Sequence, residues 1–195
     1  APPIFAQAAG ARFVYIGFDP ASPQAEAVVR RYLEGKPLPE VRMGYARALL
    51  DAQRHAEART QLQTVTAQRP DFAEAWLLQG VLQVQVNQLE AGEASLKRYV
   101  ELSRDIAPGR GAEERRRGLA QAYLNLALIS EKRGDLAQAG TWLDRIESPQ
   151  DLVATQNRRA SLLAKQGRMD EARRVLRSLP ERSPQDARTK LLNPK

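Results

Sequence analysis

The chain has 195 residues, with 30 Lys or Arg against 23 Asp or Glu, a formal charge of +7, one histidine and no cysteine. It therefore has no disulfide, thiolate metal site or thiol nucleophile, and suits a reducing or an oxidising compartment equally. No run approaches the roughly 18 to 20 apolar residues that a membrane-crossing helix needs.

The excess charge is not spread evenly. Residues 153–195 carry 11 Lys or Arg and 4 Asp or Glu, while residues 1–152 carry 19 of each. A field of that kind attracts acidic partners and speeds their encounter. Arginine outnumbers lysine 24 to 6 and alanine is plentiful, a bias that suits a GC-rich bacterial genome.

Taken in chain order, residues 1–21 stand apart. "RFVYIGF" from Arg12 to Phe18 is rich in β-branched and aromatic residues and makes a poor helix, so the segment is expected to be irregular. Residues 22–38 read as the second helix of a partial repeat, because "RRYLE" at 30–34 echoes "KRYVE" at 97–101. From residue 39 a 34-residue register sets in. Counted from Pro39, Ala73, Ala120 and Val153, place 8 holds Ala46, Gly80, Ala127 and Ala160. Place 20 holds Ala58, Gly92, Ala139 and Ala172, and place 24 holds Leu62, Leu96, Leu143 and Leu176.

Such self-similarity predicts stacked helical hairpins. Small residues belong where two backbones approach, and bulk where the hairpin leaves space. Gly134 and Gly167 at place 15 suit the left-handed residue that ends a helix, and Pro70 and Pro184 at place 32 end the second helix. Hairpins are expected at 39–72, 73–106, 114–152 and 153–186. An insertion near 107–119 slips the register by 13 residues; Pro108-Gly109 marks a loop, and Glu113 and Glu114 suit the start of a lengthened helix. Residues 187–195 read as the start of a further, truncated helix, with Leu191 and Leu192 uncovered. That predicts an open-ended segment of a longer array, able to self-associate through its ends.

These residues resemble the tetratricopeptide-repeat (TPR) family over roughly 22–186. "RGDLAQA" at 133–139 and "QGRMDEA" at 166–172 read like its inter-helix turn, and Trp76 at place 4 and Leu126 at place 7 match its preferences. The resemblance implies an all-α, right-handed solenoid of antiparallel hairpins, with the first helices lining a concave groove. It also implies a bacterial protein-interaction scaffold without a cofactor; the sequence leaves open whether cytoplasm or periplasm is its compartment.

Places 2, 5, 9 and 12 share one face of each first helix. From that face Met43, Arg47, Leu77, Val81, Val84, Leu124, Leu128 and Asn157 are expected to form a partner-binding groove, apolar at its middle. Arg158, Arg159, Lys165, Arg173, Arg174 and Arg177 are expected to form a basic surface; the plainer reading makes them solvated helix faces. Arg115, Arg116 and Arg117 invite the same two readings.

Catalysis has little to stand on. His55 falls at place 17, in the turn packing of the first hairpin; Asp170 and Glu171 sit in a turn where the repeat pattern wants them. No phosphate loop, HExxH or metal-ligand cluster is present. Lys at place 5 and Asn at place 9, which clamp chaperone tails in this family, are missing as a pair, since the last hairpin has Asn157 and Ser161 there. The expected partner is a protein or peptide, with acidic ones favoured by the charge. The competing readings are a structural segment with its groove filled by the same chain and, weakest, a basic nucleic-acid surface, which would need base-reading residues in every unit.

Overall fold

The computed structural model describes residues 22–35, 38–104, 109, 111–147 and 152–178. The "RFVYIGF" segment, the stop at Pro184 and the start of a helix at 187–192 lie outside the described residues. Nine helices and no strand occur among the described residues: α1 (Pro23–Leu33), α2 (Pro39–Asp51), α3 (His55–Gln68), α4 (Ala73–Gln85), α5 (Leu89–Arg104), α6 (Ala112–Lys132), α7 (Leu136–Leu143), α8 (Leu152–Lys165) and α9 (Met169–Arg177). Two compact units, Ala1–Arg110 and Gly111–Lys195, divide them.

In the first unit α2 packs on α3, α4 on α5, and α3 on α4; in the second, α6 packs on α7 and α8 on α9. The four hairpin turns are built alike. The place-16 amide donates five residues back to place 11: Arg54 to Leu49 at 2.8 Å, Gln88 to Gln83 at 2.8 Å, Asp135 to Ser130 at 2.9 Å, and Arg168 to Leu163 at 2.9 Å. This is the Schellman closure, which satisfies the last helical carbonyls by putting one residue in the left-handed region. Gly134 (φ 81°) and Gly167 (φ 79°) do so without strain, whereas Gln53 and Asn87 hold the same place at φ 61°. The shape of the turn therefore does not depend on glycine. Ser22 and Asp135 cap α1 and α7 through bonds from the amides of Ala25 and Gln138, at 3.3 and 2.9 Å.

The helix crossings carry the core. Ala46, Ala58 and Leu62 are fully buried in the first hairpin, as are Ala139 and Leu143 in the third. In the second hairpin both crossing residues are glycine. A Cβ on Gly80 would stand 2.7 Å from Leu96 Cγ, and one on Gly92 would stand 2.9 Å from Val84 Cγ2 and 3.3 Å from the Gly80 carbonyl. An added methyl would collide with the Leu96 and Val84 side chains packed there and press on backbone atoms 3.2 and 3.3 Å away. In the fourth hairpin Ala160 and Ala172 are buried, but Leu176 at place 24 is 43% exposed, with no described helix after α9 to cover it.

Beside the second crossing runs a buried polar chain. Thr66 of α3 donates to Gln79 of α4 at 3.1 Å, Gln79 to Ser95 of α5 at 3.3 Å, and Ser95 to Gln83 at 2.7 Å. Paired in this way the groups avoid the cost of burial, and they hold one helix register in preference to its neighbours. In the third hairpin Tyr123 stacks on Trp142, ring centroids 6.0 Å apart, and the Arg145 guanidinium lies 4.7 Å from the Trp142 ring.

A charged knot joins α1 to the first hairpin. The Glu26 carboxylate accepts from Arg54 at 2.7 and 2.8 Å, from Tyr45 at 2.8 Å and from Arg30 at 2.9 Å. Arg54 bonds hold its pKa far below the ordinary 4.5, at about 2, outweighing the partial burial that opposes them; Tyr45 and Arg30 add to the effect. Arg42 of α2 donates to the last carbonyl of α1, Leu33, at 3.3 Å and to Gln61 of α3 at 2.6 Å. Arg159 of α8 repeats the device on the last carbonyl of α7, Leu143, at 3.2 Å.

Two glycines predict opposite signs. Gly80→Ala should destabilise by roughly 1 to 3 kcal/mol through overpacking. Gly140→Ala in α7, where an added Cβ meets nothing within 4 Å, should stabilise by about 0.5 to 1 kcal/mol through helix propensity. Urea unfolding of both variants checks the signs.

The knot predicts a pH dependence. The Glu26 pKa is lowered in the fold, so its stabilisation is whole above the unfolded value near 4.5 and is lost as pH falls towards about 2. Stability of the native chain should therefore drop more steeply across that window than stability of Glu26→Gln, the two curves converging at the acid end. Denaturant titrations at stepped pH measure this.

Candidate functional site

The eight expected groove residues do not share one environment. Met43 is fully buried in a cluster with Ala25 and Val29 of α1 and Ala58 and Leu62 of α3. Leu77 is 7% and Val84 2% exposed. The expectation that these three present an open apolar surface is therefore corrected. Val84 turns towards Gly92, whose missing side chain lets α5 come close enough to cover it, and Met43 fills the space between α1 and the first hairpin.

The other five keep some access to solvent. In the first unit Arg47 is exposed and Val81 half-buried. Arg47 Nε donates to Glu74 at 2.8 Å, and its Nη2 meets the other carboxylate oxygen, so place 9 of one hairpin grips place 2 of the next. The two side chains are 50% and 38% exposed, which makes this a solvated pair of small net worth rather than a structural clasp. The first-helix face of this unit is thus charged, with Val81 as its apolar element.

In the second unit Leu124 and Leu128 are half-buried, and Gln121, Asn157 and Ser161 are exposed. Leu124 leans on the cluster of Ala127, Ala139, Leu143 and Leu162, so part of its surface belongs to the hairpin core.

The expected basic surface is largely neutralised from within. Glu131 of α6 is held by Arg158 at 3.1 Å and by Lys165, both of α8. Its carboxyl is pulled below the ordinary range, first by the Lys165 hydrogen bond and further by the Arg158 charge. Arg159 pairs with Asp144 at 2.8 Å. At these three the charge is offset: packing brings carboxylates to them that lie 15 to 34 residues away in the chain, although Lys165 itself stays 53% exposed. Arg173, Arg174 and Arg177 on α9 are exposed, Arg173 with Asp170 3.8 Å away. Arg116 pairs with Glu113 at 2.9 Å, one turn back on α6.

Glu131 is the residue whose role the sequence pattern undervalued. Its signal was a lone acid at place 12 opposite a run of Arg and Lys one repeat later, which only the packing of α6 against α8 converts into ion pairs. His55 is exposed at the start of α3, its Nε2 3.0 Å from Gln53 Oε1, rather than packed in the turn. Among the described residues no group of three or more His, Cys, Asp or Glu could hold a metal ion, and no helix is long and apolar enough to cross a membrane.

Comparison with known proteins adds the family. Three tetratricopeptide-repeat family models match, one over 17–65 and 43–110, a second over 120–145 and a third over 158–186, together more than half of the chain. No curated protein matches in sequence. Similar solved structures include a MamA protein, with TM-score 0.64 and 17% identity over 78% of each chain. A second MamA structure aligns with TM-score 0.65 and 16% identity over 87% of this chain and 90% of its own. A third, running from residue 41 to the end of MamA from Desulfovibrio magneticus RS-1, aligns with TM-score 0.63 and 15% identity, covering 78% and 80%. At such identities the likeness concerns the fold. Repeat register, hairpin geometry and family matches agree: the chain belongs to the tetratricopeptide-repeat family.

Proposed function

We propose that the protein is a noncatalytic interaction scaffold that holds a protein segment on its first-helix faces. The observation that carries this reading is Leu128, half-buried on α6 beside the exposed Gln121 of its own helix. It offers apolar contact, and Gln121 with Asn157 and Ser161 on α8 offers hydrogen bonds, a combination that suits an extended or helical peptide. On the first unit Val81 with the Arg47–Glu74 pair offers a smaller, charged counterpart. The exposed Arg173, Arg174 and Arg177 favour acidic partners through rate rather than affinity, an effect that salt screens over about 8 Å at physiological strength.

A second reading draws on the burial of Met43, Leu77 and Val84. With much of the expected groove inside the protein, the chain would serve as a structural stretch of a repeat array whose faces are filled by its own residues.

Capture from a bacterial lysate at low and high salt, with nuclease, separates the readings. The scaffold predicts a protein retained at high salt and lost with Leu128→Glu or Arg47→Glu, while far-UV circular dichroism stays unchanged. Absence of any partner, with Leu128→Glu unfolding the chain, would move the conclusion to the structural reading. Capture of nucleic acid alone, released by salt, would overturn both.

A further inference from the structure

The second unit holds a cleft of about 370 Å³ on a different helix pair from the face proposed above. Leu136 and Gly140 of α7, Arg159, Leu162 and Leu163 of α8, and Arg168 of the last turn line it. On α7 the lining residues follow helical spacing, as they do on α8, so one face of each helix forms a wall. The volume lies at the small end of the range for ligand clefts, enough for two or three side chains.

Gly140 is what opens it. A glycine in the middle of a helix is unfavourable, and close packing usually explains one that is present. Here packing explains nothing, since a Cβ at 140 would meet no atom within 4 Å. The same place 21 holds Arg59, Glu93 and Arg173 in the other three hairpins, each long enough to lie across such a space. The contrast with Gly80 and Gly92, where a Cβ collides, separates a glycine that lets two helices meet from one that leaves room beside a helix.

The polar wall holds Thr141, Asp144, Gln166 and two arginines, Arg159 and Arg168, each paired with a carboxylate. Arg159 Nε is buried and has no acceptor within the protein. Its Nη2 is held by Asp144, whose side chain is 71% exposed, so this carboxylate stands in water and can be exchanged for another. Apolar walls from three leucines and a guanidinium whose carboxylate partner stands in water define what fits: an apolar side chain next to a carboxylate.

We propose that this cleft is a second docking site, distinct from the first-helix face, for a partner segment carrying an acidic residue adjacent to a Leu- or Phe-sized one. The apolar side chain lies over Gly140 between Leu136 and Leu162, and the carboxylate takes the place of Asp144 on Arg159. Arg168, now bonded to Glu171 at 2.8 Å, closes the other end.

The test is selection of phage-displayed random dodecapeptides on the whole immobilised chain, followed by fluorescence anisotropy of the enriched peptides. The expected result is a class pairing Asp or Glu with Leu or Phe. Its affinity should fall at least tenfold in Gly140→Gln, which fills the cleft without adding charge, and in Arg159→Gln, yet stay unchanged in Leu128→Glu. Gly140→Gln should keep the native helix content, because glutamine is the better helix former. Should Arg159→Gln unfold, Arg168→Gln replaces it. Peptides lost with Leu128→Glu but bound normally by Gly140→Gln would belong to the first-helix face, overturning the cleft while leaving that reading in place. Absence of an acidic–apolar class, or a lowered melting point of Gly140→Gln, would also overturn the proposal, the second by showing that the chain fills the cleft itself.

Discussion

The close approach of paired helix backbones is the constraint on which the rest of the structure depends. At the second crossing, Gly80 and Gly92 leave no room for a Cβ, and Leu96 and Val84 fill the space on either side. That approach determines which neighbouring positions can touch. Gln79 and Ser95, each adjacent to the crossing or nearly so, come within hydrogen-bond reach, and Thr66 and Gln83 complete the chain from α3 and α4. The turn geometry belongs to the same constraint. Four Schellman closures of the same hydrogen-bond pattern join the two helices of each hairpin, even where Gln53 and Asn87 must take up a conformation that glycine adopts more readily.

A second theme is how the fold uses its charge. A formal excess of +7 suggests a strongly basic surface, yet many of these cations answer carboxylates brought to them by hairpin packing. Glu26 gathers Arg30 and Arg54, and Glu131 gathers Arg158 and Lys165. Both acids are more buried than the cations they hold; that burial opposes ionisation, and the hydrogen bonds from the cations outweigh it. Among the described residues, α9 keeps Arg173, Arg174 and Arg177 exposed as one local source of positive field.

The buried hydroxyl of Thr155 shows a repeat tolerating a misfit. Place 3 is apolar in the other three hairpins, as Val41, Ala75 and Ala122, all buried, whereas Thr155 is 2% exposed with no partner for its oxygen. An unpaired buried hydroxyl costs on the order of 1 to 3 kcal/mol. Together with Gly140 and the short α7, it concentrates the departures from ideal hairpin packing in the second unit. Those departures are also where the cleft lies.

The sequence by itself determined the fold class, the family and the places of closest helix approach, because these rest on local rules repeated every 34 residues. Ala46 on one helix and Ala58 and Leu62 on the next could be assigned to a crossing from the repeat register alone, since the same places hold small or bulky residues in every unit. Tertiary structure alone decided which side chains of the first-helix face remain outside. Met43 and Leu77 share place 5 with the exposed Asn157, and periodicity cannot separate them; the burial of Met43 depends on how near α1 comes, and that of Val84, at place 12, on the approach of α5 that Gly92 permits. Ion-pair partners were equally hidden. Lys165 reaches Glu131 across one full repeat, and a charge is neutralised by whatever the fold sets beside it in space, not by its neighbours in the chain.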